Sequence, residues 1–554
     1  MIEPIGKSVQ RVEDNKFLKG LGEYTDDISF LEMAYMYIIR SPHPSAIIKK
    51  INYSNAEKID GVLGIYTFSD IKKNIGPLPS FGNYTKYNNK PMFRPQRYVL
   101  AEKKVYYTGQ PIVCILANCI NIAKSAADFV SIEFDALESV TDIKEAINIH
   151  SPKVWDECQD NISFNFELGD RKKVDNLFSS AKYTFVIDHN ISRVYAAPLE
   201  NRSAIGLYEE NLDKFTLYSG TQAPHNLKKI LSNDIFKIPE TKVRVVSPDM
   251  GGAFGMRSSI YPEMPLVMWF SKVIGLPVKW CSERSEGFLG DDQARDNYTK
   301  VSLALDENYK FLSLKVNTLA ALGAYISSGG SSPPTANLGG LAGVYKTQAI
   351  YVNVTGVFTN TMPTSAYRGA GRPEASFAIE RIIDHAAYKL NIDPAYLRKI
   401  NTITKDLIPY KTGLVFEYDS GNFLDNLNKA LKDLDKLNKN IKADLNKEFK
   451  SIVFHDAYQY FEKRYNVNIL GAFTVNTDVL PGAEQLSEIR EIIEHDKVTC
   501  IFSEPQFNPD IINAVAKDMD IKTGVLDPLG ATLNPGKDLY FDLIRNMSKS
   551  FKGC

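Results

Sequence analysis

Near residue 430 the chain changes character, and that change excludes a single fold for its whole length. Residues 423–449 (FLDNLNKALKDLDKLNKNIKADLNKEF) are polar with Leu at roughly helical spacing, which predicts one long helix. A regular series follows: SIVF, a helix from about Ala457, VTCIFS, a helix from about Asp510, and KTGVLD. Short apolar runs alternating with helices predict a parallel sheet wound with helices. A length of 554 residues exceeds what one core can serve, and roughly 100–200 residues per domain gives three or four domains. We place them at 1–150, 151–430 and 431–554.

Upstream of the change the pattern is mixed α/β. Strands are expected at 33–39 and at Pro111–Ala117, the latter apolar throughout and therefore buried on both faces. Ala123, Ala126 and Ala127 fall at helical spacing within 121–129, and 130–134 alternates again. This predicts a strand–helix–strand unit closing near Asp142. Residues 72–98, with Pro77, Pro79 and Gly82, predict a long loop. Further on, Val243–Val246 is a strand running into a glycine cluster, and 264–273 a buried helix ending near Gly275. Strands are expected at 311–321 and 350–358. A helix is expected at 374–390, with Phe377, Ile382, Ile383, Ala386 and Ala387 as its apolar members.

Charge and cysteine content narrow the function classes. Lys+Arg 65 against Asp+Glu 66 gives a net charge of −1, which does not favour a nucleic-acid partner, although a balanced total leaves room for a local basic patch. No run of about 18 apolar residues predicts a membrane span. The opening MIEPIGKSVQRVEDNKFLKG lacks the apolar run of a signal peptide, so the expected location is the cytoplasm. Six cysteines exclude a disulfide scaffold, and Cys114, Cys119, Cys158 and Cys281 form no CxxC pair for an iron–sulfur cluster or structural zinc.

Several motifs carry chemistry. Gly251, Gly252 and Gly255 follow a strand and lack side chains, so backbone N–H groups there can approach an anionic group; a plain tight turn would need the same residues. Gln222 carries amide donors, and Arg368 a planar fork of donors that can hold a carbonyl or carboxylate. The ordered set Ile5–Asp14, Tyr24-Thr25-Asp26-Asp27, Arg40-Ser41-Pro42-His43, Tyr107-Thr108-Gly109-Gln110-Pro111, Gly220-Thr221-Gln222-Ala223-Pro224-His225, Gly251-Gly252-Ala253-Phe254-Gly255 and Ala366–Glu374 resembles molybdopterin-binding subunits of the xanthine dehydrogenase/aldehyde oxidase/carbon monoxide dehydrogenase family over about residues 1–430. The resemblance implies an α/β hammerhead domain and the first half of a molybdenum-cofactor-binding domain. It implies that Gly251, Gly252, Phe254 and Gly255 lie against the molybdenum–pterin cofactor, with Gln222 hydrogen-bonding a metal oxo group. Arg368 would face substrate, and Glu263 would lie near the substrate pocket. Iron–sulfur and FAD subunits are the implied partners.

Two departures matter. Copper-containing carbon monoxide dehydrogenases carry a cysteine in the loop after Tyr-Arg, where this chain has Gly369-Ala370-Gly371. Glycine offers no side-chain ligand, so hydroxylation of an aldehyde or aromatic N-heterocycle is expected instead of CO oxidation. The family's second cofactor-binding domain, with its general-base glutamate, has no counterpart after residue 430. The chain alone is therefore expected to be inactive.

Residues from about 432 resemble the C-terminal lobe of the periplasmic zinc-binding protein of an ABC importer. The match rests on IVFHDAY (452–458), Phe461-Glu462, FTVN (473–476), Pro481-Gly482-Ala483, SEPQF (503–507) and LDPLG (526–530). His455, Glu504 and Asp527 each follow an apolar strand, where open α/β sheets place ligand sites, although any could cap the next helix, as Asp456 is expected to do. The resemblance implies that His455 and Asp527 bind zinc, with Glu504 beside them. It also implies a Cys500–Cys554 disulfide, stabilising by about 4 kcal/mol on the chain-entropy model, and a zinc permease as partner. The expected class is thus a mixed α/β multidomain chain ending in a doubly wound parallel α/β lobe. Three readings stand: a molybdenum-hydroxylase component, a zinc-handling module, or a chimeric join of two truncated coding sequences.

Overall fold

The structure is a computed structural model that describes residues 8–445, 450–474, 482–507, 510–516, 519 and 521–553. It divides into two compact units, Met1–Gly421 and Asn422–Cys554.

In the first unit, a seven-stranded sheet runs in the spatial order Val243–Val246, Lys214–Tyr218, Ser203–Glu209, Val278–Cys281, Ala34–Arg40, Pro111–Ala117, Val62–Tyr66. Strands from either side of residue 150 therefore share one hydrogen-bonded sheet. Ala34–Arg40 pairs in parallel with Val278–Cys281 and antiparallel with Pro111–Ala117. The expected run Pro111–Ala117 is buried at every position. Against this sheet packs the helix Glu263–Ile274, whose Leu266, Val267, Met268 and Phe270 are fully buried.

A separate five-stranded sheet runs in the order Ile162–Gly169, Ala349–Phe358, Phe311–Gly323, Ala294–Leu305, Tyr183–Val194. Helix Arg372–Leu390 covers it, burying Ala375, Ala378, Ile379, Ile382, Ile383, Ala386 and Ala387. The expectation for this helix holds except at Phe377. That residue falls off the buried stripe and stays 43% exposed, its edge against His189 at 5.0 Å.

The strand–helix–strand expectation needs a correction. Pro111–Ala117, helix Ile120–Ala127 and Ser131–Ala136 follow in that order, but the two strands lie in different sheets. Ser131–Ala136 is half exposed and pairs antiparallel with Ala46–Asn52 in a separate three-stranded sheet.

The second unit is the parallel lobe its pattern predicts. Four parallel strands stand in the order Asn468–Thr474, Lys450–His455, Cys500–Ser503, Lys522–Val525. Val453 and Phe502 face a core with helices Phe423–Asp444 and Leu539–Lys552, while Ile452, Phe454 and Ile501 face the opposite core with Ala483–Asp496 and Asp510–Ala516. The chain winds first to one side of Lys450–His455 and then to the other. That reversal opens a crevice between the carboxyl ends of Lys450–His455 and Cys500–Ser503.

Candidate functional site

In the first unit Gln222, 253–255 and 366–370 line one open depression of about 520 Å³, while Gly251 and Gly252 precede it in the chain and are not part of its lining. The chain reaches it at the end of strand Val243–Val246. Its backbone then turns through positive φ at Gly252 (111°), Phe254 (51°) and Gly255 (107°). Glycine is required at 255: a Cβ there would sit 2.7 Å from the Ala366 carbonyl oxygen. A Cβ at Gly251 would meet Glu200 Cβ at 2.5 Å.

Hydrogen bonds fix each group. Glu200, which the sequence reading did not single out, accepts from Gly251 N at 2.7 Å and from the buried Arg257 guanidinium at 2.5 Å. Gly255 N donates to Gln222 Oε1 at 2.9 Å, so the amide oxygen is taken. Among the described residues the Gln222 NH₂ and the backbone amides of Gly252, Ala253 and Phe254 donate to no acceptor. Arg368 N donates to Phe254 O at 2.7 Å, and its guanidinium lies over the Phe254 ring at 4.9 Å. No carboxylate among the described residues forms an ion pair with it. The depression is therefore walled by donors, a surface suited to an anionic, oxygen-rich group.

Glu263 stands apart. It is fully buried in the first turn of its helix and does not line the depression. Oε1 takes Arg40 Nη2 at 2.6 Å and Oε2 takes Arg202 Nη1 at 2.9 Å. Desolvation alone would raise its pKa, but the two guanidinium groups outweigh that and hold it at about 2. Arg40 also bonds Glu286, and Arg202 bonds Asp291 at 2.5 Å while lying 3.7 Å over the Tyr261 ring. Such a network ties elements of the sheet together.

In the second unit the crevice holds His455 and Glu504. His455 Nδ1 meets Glu504 Oε1 at 2.7 Å, and Tyr458 OH donates to the same oxygen at 2.9 Å. Burial first, then the Glu504 carboxylate, push the Tyr458 phenol well above its usual range. Asp527 is engaged by its own turn and by Gln506: Oδ1 accepts from Gln506 Nε2 and Leu529 N, and Oδ2 from Thr532 N and Oγ1. Asp456 does not cap. Tyr458 is the N-cap of Gln459–Tyr465, and Asp456 instead accepts from Gln459 Nε2 at 2.7 Å. Among the described residues no three His, Cys, Asp or Glu side chains form a metal-binding group. Cys500 is buried at the start of its strand, while Cys554 and the motif residues 475–481 lie outside the described residues.

Comparison with known proteins matches both units. Residues 19–138 match the aldehyde oxidase and xanthine dehydrogenase a/b hammerhead domain, and residues 154–402 the molybdopterin cofactor-binding domain. Residues 416–554 match the periplasmic zinc-uptake complex component A. The carbon monoxide dehydrogenase large chain of Hydrogenophaga pseudoflava is 34% identical over 441 residues, covering 76% of this chain and 53% of that protein. The high-affinity zinc uptake system protein ZnuA of Brucella abortus is 46% identical over 123 residues, 22% of this chain and 37% of that protein. The solved carbon monoxide dehydrogenase from Oligotropha carboxidovorans superposes with a TM-score of 0.72 at 29% identity, over 79% of this chain and 55% of that one. The chain thus spans about half the length of the molybdenum-enzyme relatives it matches. Through its first unit the chain belongs to the family of xanthine dehydrogenase and carbon monoxide dehydrogenase large subunits, and it carries a ZnuA-like region at its C-terminal end.

Proposed function

We propose that the depression of the first unit holds a molybdenum–pterin cofactor, as the cofactor-binding part of a hydroxylase acting on an aldehyde or an aromatic N-heterocycle. One observation carries this reading: the Gln222 NH₂ and the Arg368 guanidinium line the same depression, each without an acceptor or carboxylate partner among the described residues. Bound there, the cofactor would supply the two-electron oxidation that hydroxylation of a carbon–hydrogen bond requires. The amides of residues 252–254 would hold anionic oxygens, and Gln222 would donate to an oxo group. Arg368, kept planar against Phe254, would bind a substrate carbonyl and stabilise negative charge developing on it.

No cysteine lines the depression among the described residues, which supports hydroxylation over copper-dependent CO chemistry. No carboxylate lines it either among the described residues; the general base would come from the family's second cofactor-binding domain, and electrons would leave to iron–sulfur and FAD subunits. The full chain, purified from a host that makes the cofactor, should contain molybdenum by elemental analysis and pterin by fluorescence after oxidation. Gln222→Leu should lower both. A purified, folded chain holding neither metal nor pterin ends this reading.

The His455–Glu504 pair favours a second activity, zinc binding at His455 Nε2, which has no partner among the described residues. Zinc bound by the full chain and lost in His455→Ala supports it; equal binding by both removes it. The chimera reading is tested by sequencing genomic DNA across the codons for residues 420–445, where an uninterrupted product would exclude an assembly artefact.

A further inference from the structure

We infer that Arg295 is a positioning residue for Arg368, clamping at both ends the loop that carries it. The inference rests on the ligand-facing role proposed for Arg368. Arg295 Nη2 donates to the Arg368 carbonyl oxygen at 3.0 Å, and Nη1 pairs with Glu374 at 2.6 Å. The guanidinium also lies 5.2 Å over the Tyr367 ring. All three contacts fall on the segment from Tyr367 to the first turn of helix Arg372–Leu390. Arg368 is thus held by its N–H from Phe254 O and by its C=O from Arg295, which leaves its own guanidinium free of protein carboxylates among the described residues.

The backbone supports more than ordinary packing. Arg295 and Asp296 are successive non-glycine residues with φ of 66° and 63°, a region L-residues rarely occupy. Neighbours enforce it. Arg193 Nε donates to Asp296 at 2.9 Å, and Arg193 Nη1 to Gln293 Oε1 and Met362 O at 3.1 and 2.7 Å. Gln293 in turn bonds Pro363 and Ser365 through its backbone. Backbone strain imposed by several independent contacts is the pattern of a site holding one side chain in place. The planar fork of Arg295 reaches two acceptors in different directions, which a lysine ammonium on a flexible stem does less well. Glu374 Oε2 is buried without a hydrogen-bond partner among the described residues, so Arg295 is what holds that carboxylate.

The test uses the full chain with benzoate as the probe, a planar carboxylate on an aromatic ring. Hydrogen exchange of peptides covering 366–374 is measured alongside benzoate affinity by calorimetry, in wild type, Arg295→Lys and Arg368→Gln. The expected result for Arg295→Lys is exchange of this loop about tenfold faster, with exchange across the seven-stranded sheet unchanged, and benzoate affinity reduced about tenfold. Arg368→Gln should lose benzoate while the loop stays protected. Glu374→Gln, which cuts the far end of the same clamp, should show the same loop effect as Arg295→Lys in weaker form. Unchanged loop exchange in both Arg295→Lys and Glu374→Gln overturns the positioning role. Faster loop exchange with benzoate affinity unchanged in Arg295→Lys also overturns it, leaving a purely structural clamp. Wild type that fails to bind benzoate, or binds it as well as Arg368→Gln does, instead counts against the ligand reading of Arg368, and the role of Arg295 toward a ligand falls with it.

Discussion

His455 Nδ1 and Glu504 Oε1 lie 2.7 Å apart in the crevice of the second unit, and Glu504 is only 3% exposed. A buried carboxylate that takes Nδ1–H fixes the ring orientation and turns the Nε2 lone pair outward, the arrangement that prepares an imidazole to bind a metal. Glu504→Gln should therefore weaken zinc binding by the full chain by roughly 10–100-fold. Competition against a chromophoric chelator measures this, and an unchanged affinity would remove Glu504 from that task.

Asp527 gives the second unit an acid-sensitive element. Partial desolvation would raise its pKa, but hydrogen bonds from Thr532 N and Gln506 Nε2, with others, prevail and hold it at about 2. A carboxyl depressed in the fold contributes stability that is complete above its unfolded value, near pH 4, and that fades as pH falls toward 2. Allowing for its partial exposure, the contribution is about 1–2 kcal/mol. Urea midpoints of the second unit should fall less between about pH 4 and 2 in Asp527→Asn than in wild type.

Glu263→Gln should be among the most damaging single changes in the first unit. It leaves Arg40 and Arg202 buried with one carboxylate fewer, and breaking a buried pair typically costs about 3–5 kcal/mol. Thermal unfolding should show a large drop in melting temperature. A drop no larger than that of a surface control would mean that Glu286 and Asp291 suffice to compensate the two guanidinium groups.

His189 makes the first unit sensitive to mild acid. Both ring nitrogens are buried without a hydrogen-bond partner among the described residues. Desolvation, aided by Arg381 and opposed by Asp188, lowers its pKa. As pH drops through about 6.5 the unfolded chain binds a proton that the folded chain resists, so stability falls. Phenylalanine at this position keeps a ring against Phe377 and removes the titration. The melting temperature of His189→Phe should decline less than that of wild type between about pH 7.5 and 5.5, and parallel declines would exclude the effect.

The legible parts of this chain are those whose burial is local. Pro111–Ala117 and Val243–Val246 form at the residues their apolar runs indicate, and the expected helix at 264–273 gains only Glu263 and Ile274. Alternation alone conveyed the parallel lobe. Tyr183–Val194 and Ala294–Leu305, by contrast, pair antiparallel across more than a hundred residues, and nothing local in either announces the other. The same limit governs the site. The motifs bring Gln222, residues 253–255 and Arg368 into one depression, because each motif contains the turn that places it. Glu200, Arg257 and Arg295 act through contacts to backbone or carboxylate groups distant in sequence, and a lone charged residue has no pattern to mark it. Glu263, likewise, owes its burial to Arg40 and Arg202, both far away in sequence.

The parallel pairing of Ala34–Arg40 with Val278–Cys281 has a consequence for synthesis. Emerging from the ribosome, Ala34–Arg40 can meet Pro111–Ala117 early, but its other edge stays bare until residue 278 has cleared the exit tunnel. At roughly 5–20 residues per second that interval is on the order of tens of seconds. Throughout it, a strand carrying Met36 and Ile38 presents unpaired amides and carbonyls to every neighbouring nascent chain. A chaperone that shields this edge during translation should raise the yield of folded protein, more than any slowing of synthesis after residue 281.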